Sequence, residues 1–429
     1  MSEEFDAEMS VNTMPSVGND ISPADRDVLR RLASCVAAYA AKGVEQDKRE
    51  LWYRHNALEE MRPVIFCDPE NGWNEIILPG ALECRGDLAR GWEFGLRKEI
   101  FWAENIKDDR VIPDVFDVGY VYQESDWGLH QVSHGGGNGG SYVWDAPIKT
   151  IEDLDKLHFP TITVDYTATD AMLELARRTF GGILPVRLKT SWWWTQGLTM
   201  TLVYLRGLSQ MMYDMVDQPE LLHRLMGILR DGHMARLDYL QENGLLFLNN
   251  DQSYVGSGGF GWSRELPQPD FHGDVRTNDM WGFAESQETV GVSPRMFEEF
   301  IYPYQLPLLE RFGLNCYGCC EPLDKRWSVV KRFPRLRRIS VSPWSNLKYM
   351  AESLGNEYIL SMKPNPADIA RPSFDPEQIR TGLREAINIA GANNCRMEII
   401  LKDCHTICGD PKRVQEWTRI AREEAERAA

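Results

Sequence analysis

Short apolar runs alternate with helical patterns from about residue 180 to the C-terminus, and this alternation constrains the fold more than any other feature of the sequence. Such a pattern is typical of βα units that surround a parallel sheet. Helix-start signals, among them Asp375-Pro376 and Asp410-Pro411, stand between the runs. The predicted strands are residues 182–188, 245–248, 314–318, 339–342, 358–362 and 397–401. Because no second domain boundary interrupts them, we predict a closed (β/α)8 barrel, with an open doubly wound sheet as the alternative.

The part of the chain before residue 180 is less regular. Residues 1–20 mix Ser, Asn, Pro and acidic residues without periodicity, which predicts a mobile tail. Ser22-Pro23 and the apolar stripe after it predict an N-terminal helical extension over residues 21–60. We therefore assign residues 61–429 to the barrel, with residues 105–150 as an elaborated loop region that contains a glycine cluster.

Charge and hydropathy exclude several classes of partner. The formal net charge of −17 disfavours nucleic acid and anionic membrane surfaces. The sequence has no apolar run of the roughly 18 residues that a membrane span needs, and its acidic first residues, MSEEFDAEMS, differ from a signal peptide. We expect a cytoplasmic protein whose nine cysteines are reduced.

Polar residues directly after the predicted strands are the candidates for a functional site. In a (β/α)8 barrel the active site lies at the carboxyl ends of the strands. The segments in question are residues 190–194, 249–254, 319–321, 342–344, 363–365 and 403–405. Two of them contain crowded cysteines.

Cys319, Cys320 and Cys404 are the predicted ligands of a zinc ion, because thiolates combined with Glu or His suit Zn²⁺. Glu321 and His405 would complete or orient this set. The alternative is that the thiols pack as small buried hydrophobes. We expect Cys316 and Cys408, which lie mid-strand and deeper in the loop, to do so.

Three consecutive indoles and two polar segments form the predicted substrate-binding set. The indoles at 192–194 could wall a flat aromatic substrate, or they could alternate between the core and the helix layer. The polar residues at 249–254 suit hydrogen bonding or protonation of a substrate oxygen, unless they form a solvated loop. The predicted substrate-binding residues are Trp192, Trp193, Trp194, Asn249, Asn250, Tyr254, Lys363 and Asn365, with Asp251 as a candidate acid.

Two glycine-rich segments satisfy the pattern G-x-G-x-x-G, one from Gly135 to Gly140 and one from Gly256 to Gly261. Neither follows an apolar strand and opens a helix, which dinucleotide binding requires. We therefore predict that both are flexible loops.

Several segments of the chain resemble the uroporphyrinogen-decarboxylase superfamily over about residues 180–429. They read TQGLT from Thr195, LRGL from Leu205, DQPELLH from Asp217 and VSPRMFEEFIYPY from Val292. The superfamily contains porphyrinogen decarboxylases and methyltransferases that exchange methyl groups with a corrinoid protein. The decarboxylases carry an arginine-rich R-Q-A-G-R segment near the N-terminus, which is absent at residues 62–70 of this chain. The resemblance therefore favours the methyltransferase branch.

The methyltransferase branch resembles this chain only in part at its zinc site. In that branch, the zinc ligands come from an H-x-C-G segment after one strand and from a cysteine after the last strand. Asn315 and Tyr317 stand at the His and the first Cys, whereas Cys404 matches the final Cys. The segment YGCCEP, residues 317–322, resembles a subgroup associated with anaerobic demethylation, including aryl methyl ether O-demethylases. Residues 403–409 approach the D-x-H-x-x-G signature of corrinoid-carrying domains, but the glycine comes one residue late.

The resemblance implies a methyltransferase that moves a methyl group between a small O-methyl substrate and the cobalt of a separate corrinoid protein. The substrate would be activated by zinc or by a general acid, with Glu321, Asp251 and His405 as the catalytic candidates. A docked partner implies a homomeric or heteromeric contact near the strand ends, and a homodimer is compatible with it. The alternatives are a decarboxylase of a tetrapyrrole or other carboxylated ring, and a non-catalytic scaffold that binds a corrinoid protein.

Overall fold

The computed structural model describes residues 21–130, 132–135 and 142–428. The predicted mobile tail and most of the first glycine-rich segment lie outside these residues. In chain order the strands are β1 (Val64–Cys67), β2 (Phe116–Val118), β3 (Tyr122–Glu124), β4 (Val132–Gly135), β5 (Tyr142–Asp145), β6 (Ile162–Val164), β7 (Val186–Leu188), β8 (Tyr254–Val255), β9 (Gly259–Phe260), β10 (Trp281–Ala284), β11 (Leu314–Tyr317), β12 (Leu336–Val341), β13 (Ile359–Met362) and β14 (Arg396–Leu401).

The helices follow the same numbering. They are α1 (Pro23–Ala40), α2 (Gly43–Asn56), α3 (Trp73–Ile76), α4 (Asp87–Phe101), α5 (Tyr166–Phe180), α6 (Thr199–Arg206), α7 (Leu208–Asp217), α8 (Pro219–Glu242), α9 (Pro294–Phe300), α10 (Tyr302–Leu309), α11 (Trp327–Val330), α12 (Leu347–Leu354), α13 (Ala367–Ala370), α14 (Pro376–Ala392) and α15 (Lys412–Arg427). The start of α1 follows the predicted cap, because the hydroxyl oxygen of Ser22 accepts the backbone N–H of Asp25 at 3.1 Å.

Six strands form one parallel sheet in the order β1-β14-β13-β12-β11-β10. This sheet, alternating with helices along the chain, confirms the predicted α/β class. Backbone hydrogen bonds among the described residues do not close it into a barrel, since β2 and β7 form a separate parallel pair. The strand β2 lies within residues 105–150, which we predicted to be a loop region.

The predicted strand at residues 245–248 is wrong. Leu245 and Leu246 are buried, but the segment has no strand geometry. The side chain of Asn249 instead pairs with the edge of β10, donating to the carbonyl of Trp281 at 3.0 Å and accepting its N–H at 2.9 Å. A side-chain amide thus satisfies backbone groups that a neighbouring strand would otherwise take.

The second glycine-rich segment is also not a flexible loop. The hairpin formed by β8 and β9 is buried from Val255 to Phe260 and packs against one face of the six-stranded sheet. An added Cβ would approach within 2.8 Å of Cys316 at Gly256 and within 2.6 Å of Ile400 at Gly258. The glycines allow the hairpin backbone to lie directly on β11 and β14.

A polar network lies beneath the hairpin. Glu398 on β14 accepts hydrogen bonds from Arg338 on β12 at 2.8 Å and from Ser361 on β13 at 2.5 Å, and contacts His55 of α2 at 3.0 Å. Arg338 also donates to the side chain of Asn56 at 2.6 Å. All of these side chains are buried, so the end of α2 belongs to the core of the sheet.

None of the helices in the described part of the chain combines the length and the hydropathy that a bilayer crossing requires.

Candidate functional site

The parallel sheet places several charged and sulfur-containing side chains at its carboxyl edge. We call them the edge cluster. They are Glu70 after β1, Glu285 after β10, Cys319, Cys320 and Glu321 after β11, Lys363 after β13, and Lys402 with Asp403 at the end of β14. The buried hairpin contributes Ser257.

The two adjacent thiols of the edge cluster are in contact. The sulfur atoms of Cys319 and Cys320 are 3.6 Å apart, and the hydroxyl of Ser257 donates to Cys319 at 3.3 Å. The hydrogen bond with Cys320 lowers the pKa of Cys319 despite its burial, and Lys402 and Ser257 act in the same direction. Cys320 also donates to Asp403 at 3.6 Å. The tips of β11 and β14 therefore meet, but through Asp403 and not through the predicted Cys404.

Cys404 does not join this pair. Its thiol is buried and donates to the carbonyl of Lys402 at 3.5 Å, and burial raises its pKa, as do the nearby charges of Glu70 and Asp403. Within the described residues, no three His, Cys, Asp or Glu side chains converge in a way that could hold a metal ion. The predicted zinc set of Cys319, Cys320 and Cys404 does not fit a zinc ion, and we derive no step through one.

Asn315 and Tyr317, the residues compared above with two zinc ligands of the methyltransferases that the sequence resembles, have structural roles. Asn315 donates to the backbone carbonyls of Leu309 at 2.9 Å and Pro334 at 2.7 Å. The hydroxyl of Tyr317 donates to Gln305 at 2.8 Å. Both side chains are buried and already hydrogen-bonded.

Two buried carboxyl groups lie at the ends of β10 and β11, and they differ in their hydrogen bonds. Glu321 accepts the backbone N–H groups of Ser286 at 2.9 Å and Cys319 at 2.8 Å. Among the residues that the structure describes, the side chain of Glu285 accepts only the N–H of Gln287, at 3.0 Å through Oε2, and its Oε1 has no partner. Burial raises the pKa of Glu285 well above its ordinary value, and the negative charges of Glu288 and Glu321 add to this effect.

Of the two carboxyl groups, Glu285 has the surroundings that favour the protonated form more strongly, because fewer N–H groups stabilise its charge. Burial also raises the pKa of Glu321, but the backbone N–H groups oppose that shift. Our sequence reasoning missed Glu285, although it follows the apolar run 281–284 directly. The strand-end rule would have found it if that run had been recognised as a strand.

Asp251 does not have the properties of the acid that we predicted. Its oxygens accept from Lys189 at 2.8 and 2.9 Å and from Arg187 at 3.1 Å. Although burial raises it, the pKa of Asp251 is lowered on balance, chiefly by Lys189 and Ser253. The carboxyl group is therefore an ionised partner of two cations.

His405 lies outside the edge cluster. Its side chain is exposed, and the contact that it makes is through its backbone carbonyl, which accepts from Asn71 at 2.7 Å. The structure gives no support to its predicted catalytic role.

A cavity of about 270 Å³ brings together most of the predicted substrate-binding residues. Trp192, Trp193, Trp194, Asn249 and Tyr254 all line it. Further walls come from Phe247, Trp281 and Phe283. Trp192 is fixed by a hydrogen bond from its indole N–H to the carbonyl of Leu245 at 2.6 Å, whereas Trp194 is 41% exposed. We call this the aromatic cavity.

The other predicted substrate contacts lie elsewhere. Asn250 donates to the carbonyl of Leu266 at 2.6 Å and so holds the loop before β10. Lys363 and Asn365 line an open groove of about 730 Å³ beside α14, whose walls include the acidic residues Asp368, Asp375, Glu377 and Glu385. Burial lowers the pKa of Lys363 to about 8, and its ammonium group donates to Ser361 at 2.5 Å.

The aromatic cavity lies next to the edge cluster. Phe283 lines the cavity near the end of β10, and Glu285 follows β10 directly. Tyr254 also lines the cavity and interacts electrostatically with Asp403 and Cys319. The aromatic cavity and the edge cluster are therefore both built at the carboxyl ends of the strands, although Glu285 itself does not line the cavity.

Comparison with known proteins gives little further information. No family model matches the chain, and no curated protein matches it. Among solved structures, a methyltransferase from Methanosarcina mazei matches 62% of this chain and 73% of its own, with 10% sequence identity and a TM-score of 0.35. A likeness this distant carries no conclusion about the activity of this chain.

Proposed function

We propose that this protein is a methyltransferase that moves a methyl group from a small aryl methyl ether to the cobalt of a separate corrinoid protein. One observation carries the proposal, namely the aromatic cavity at the carboxyl edge of the sheet, whose wall residue Phe283 stands two positions before the buried residue Glu285. An aromatic-lined pocket suits a flat ring. A protonated carboxyl group is the acid that an ether oxygen needs when it leaves.

The proposed step moves one methyl group and one proton. Co(I) of the partner attacks the methyl carbon and supplies the electron pair of the new cobalt–carbon bond, so that cobalt is formally oxidised to Co(III). The carbon–oxygen bond of the ether breaks, and its electron pair stays on the aryl oxygen. Glu285 gives its proton to that oxygen, and the product is a phenol. Glu321 is held by two backbone N–H groups, and its negative charge favours the protonated form of Glu285.

Turnover tests this proposal directly. The purified chain is mixed with a Co(I) corrinoid protein and a panel of methoxyarenes, and the absorbance change from Co(I) to methyl-Co(III) is followed. We expect Glu285→Gln to lower the rate by about 10² or more, because it removes the proton donor. The matched control is Glu174→Gln, which removes an exposed carboxyl group on α5. Absence of methyl-Co(III) with every methoxyarene, or full activity in Glu285→Gln, contradicts the proposal.

The alternative of a decarboxylase has weaker support. A carboxylated ring needs cationic partners, yet none of the described residues that line the aromatic cavity is an arginine. The same assay separates a catalytic protein from a non-catalytic scaffold, because a scaffold binds the corrinoid protein without turnover.

A further inference from the structure

We propose that the aromatic cavity selects uncharged, single-ring aromatic compounds and discriminates against rings that carry a carboxylate. This inference rests on the proposed function for the identity of the cavity as the substrate site. The selectivity itself follows from the size of the cavity and from the charges around it.

The size of the cavity matches one ring with small substituents. An apolar cavity of roughly 150 Å³ already accepts benzene, and this cavity measures about 270 Å³. The remaining space accommodates a methoxy group and one further small substituent. A ring system as large as a tetrapyrrole does not fit. The indoles and phenyl rings of Trp193, Trp281, Phe247 and Phe283 provide the flat walls.

Lys189 is the one cation among the described residues that line this cavity, and it is fully occupied. Its ammonium group donates to both carboxylate oxygens of Asp251, at 2.9 and 2.8 Å, and to the hydroxyl of Ser253 at 2.6 Å. An ammonium group has three N–H donors, so none is left for a ligand. A carboxylated ligand would have to break the ion pair with Asp251 before it could gain one.

The remaining charges around the cavity are also paired. Asp117 accepts two hydrogen bonds from Arg187, at 2.7 and 2.8 Å, and Arg187 donates to Asp251 at 3.1 Å. The cations Lys189 and Arg187 are thus balanced by two carboxylates, those of Asp117 and Asp251. A ligand carboxylate would add a fifth, unbalanced charge in a partly desolvated place, which is unfavourable.

Uncharged polar ligands meet a different surface. Tyr254 and Thr190, which both carry a hydroxyl group, line the same cavity. Thr190 accepts the backbone N–H of Tyr120 at 2.8 Å, which orients its oxygen. A tyrosine hydroxyl is neutral at pH 7 and can donate to an ether or phenol oxygen. The cavity therefore offers hydrogen bonds to neutral oxygens without disturbing an ion pair.

Direct binding tests the inference without any corrinoid protein. Binding of 2-methoxyphenol and of 4-methoxybenzoate to the intact chain at pH 7.5 is measured by calorimetry and by quenching of tryptophan fluorescence. We expect 2-methoxyphenol to bind at least tenfold more tightly. Equal or tighter binding of the benzoate, or no binding of either compound, overturns the inference.

A variant should reverse the selectivity. Asp251→Asn releases Lys189, so we expect its affinity for 4-methoxybenzoate to rise at least fivefold while its affinity for 2-methoxyphenol changes little. The control is Asp231→Asn, which removes an exposed carboxylate paired with Arg230 on α8. If Asp251→Asn does not fold, Asp117→Asn serves the same purpose by releasing Arg187. No gain in benzoate affinity in a folded variant contradicts the inference.

The two proposals can fail separately. Tight binding of 2-methoxyphenol without methyl transfer to cobalt would overturn the proposed function and leave the selectivity intact. Methyl transfer from methoxyarenes and methoxybenzoates at equal efficiency would support the proposed function and overturn the selectivity.

Discussion

At the scale of single residues, the contrast between Glu285 and Glu321 shows how hydrogen bonds divide the roles of two buried carboxyl groups. Glu321 accepts two backbone N–H groups, which favour its charged form. Within the described part of the chain, one oxygen of Glu285 has no hydrogen-bond partner, and the negative charges of Glu288 and Glu321 raise its pKa further. Environments that separate two carboxyl groups in this way are typical of acid and base pairs in enzymes.

Two isosteric variants should change the stability in opposite directions: Glu285→Gln should stabilise the chain at high pH, and Glu321→Gln should destabilise it. A raised pKa in the folded state means that Glu285 costs stability as the pH rises above about 4.3, the ordinary value for Glu. We expect Glu285→Gln to melt at a higher temperature than the wild type at pH 8 and at a similar temperature near pH 4.5. Glu321→Gln should lose about 1–3 kcal/mol of stability, because its amide faces backbone N–H groups. Calorimetric melting curves between pH 4.5 and 8 measure both effects, and a Glu285→Gln variant that is less stable at pH 8 contradicts this assignment.

At the scale of elements, the hairpin of β8 and β9 is the least expected feature. Its sequence is rich in glycine and has little apolar periodicity, so local signals predict mobility. Its burial depends on contacts with Cys316, Arg338 and Ile400, which are 60 to 142 positions away from their partner glycines. Tertiary contacts of this range leave no trace in a local pattern.

A pair of glycine substitutions should separate packing from backbone strain. Gly258 and Gly273 have nearly equal φ angles of +116° and +115°. A Cβ at Gly258 would lie 2.6 Å from Ile400, whereas a Cβ at Gly273 meets nothing within 4 Å. We expect Gly258→Ala to lose about 2–4 kcal/mol of stability and Gly273→Ala about 1 kcal/mol. Urea unfolding of both variants measures the difference, and equal losses would contradict the buried placement of the hairpin.

The strands also show how much of the fold and of the candidate site could be predicted from the sequence. The strand-end rule pointed to Cys319, Cys320 and Glu321 after β11 and to the tryptophans at 192–194 after β7. Asn249 and Tyr254 line the same cavity as the tryptophans, but they were chosen as the end of a strand that does not exist. The rule failed where a strand was misassigned. Residues 245–248 are apolar without forming a strand, and the real strand β10, only four residues long, was overlooked together with Glu285. The direction of the Cys404 thiol could not be predicted, because it depends on how the loop after β14 turns.

At the scale of the whole molecule, the polar network under the hairpin joins the N-terminal helices to the sheet. Glu398 contacts side chains from α2, β12 and β13. Although burial raises it, the pKa of Glu398 is lowered well below its ordinary value by Arg338, His55 and Lys363. The carboxylate thus stabilises the folded chain above about pH 4.3, and this contribution is lost as the pH falls.

We expect Glu398→Gln to lose about 3–5 kcal/mol of stability at pH 7, since it leaves Arg338 buried without its partner. The difference from the wild type should narrow as the pH falls below about 4.3, because the unfolded wild-type chain takes up a proton at Glu398 there while the folded chain still holds the charged carboxylate. Denaturation curves of Glu398→Gln and of the wild type at several pH values measure this difference.

Removal of residues 1–60 should prevent folding for a related reason, because His55 and Asn56 are lost. Circular dichroism tests this expectation, and a folded chain of residues 61–429 would contradict it.

The buried hairpin also has an evolutionary consequence. Gly258 faces Ile400 and Gly259 faces Arg338 at distances that leave no room for a side chain. A mutation at either glycine can be tolerated only if the opposite position on the sheet becomes smaller. In a set of homologous sequences, positions 258 and 400, and positions 259 and 338, should therefore covary although each pair is separated by many residues of chain.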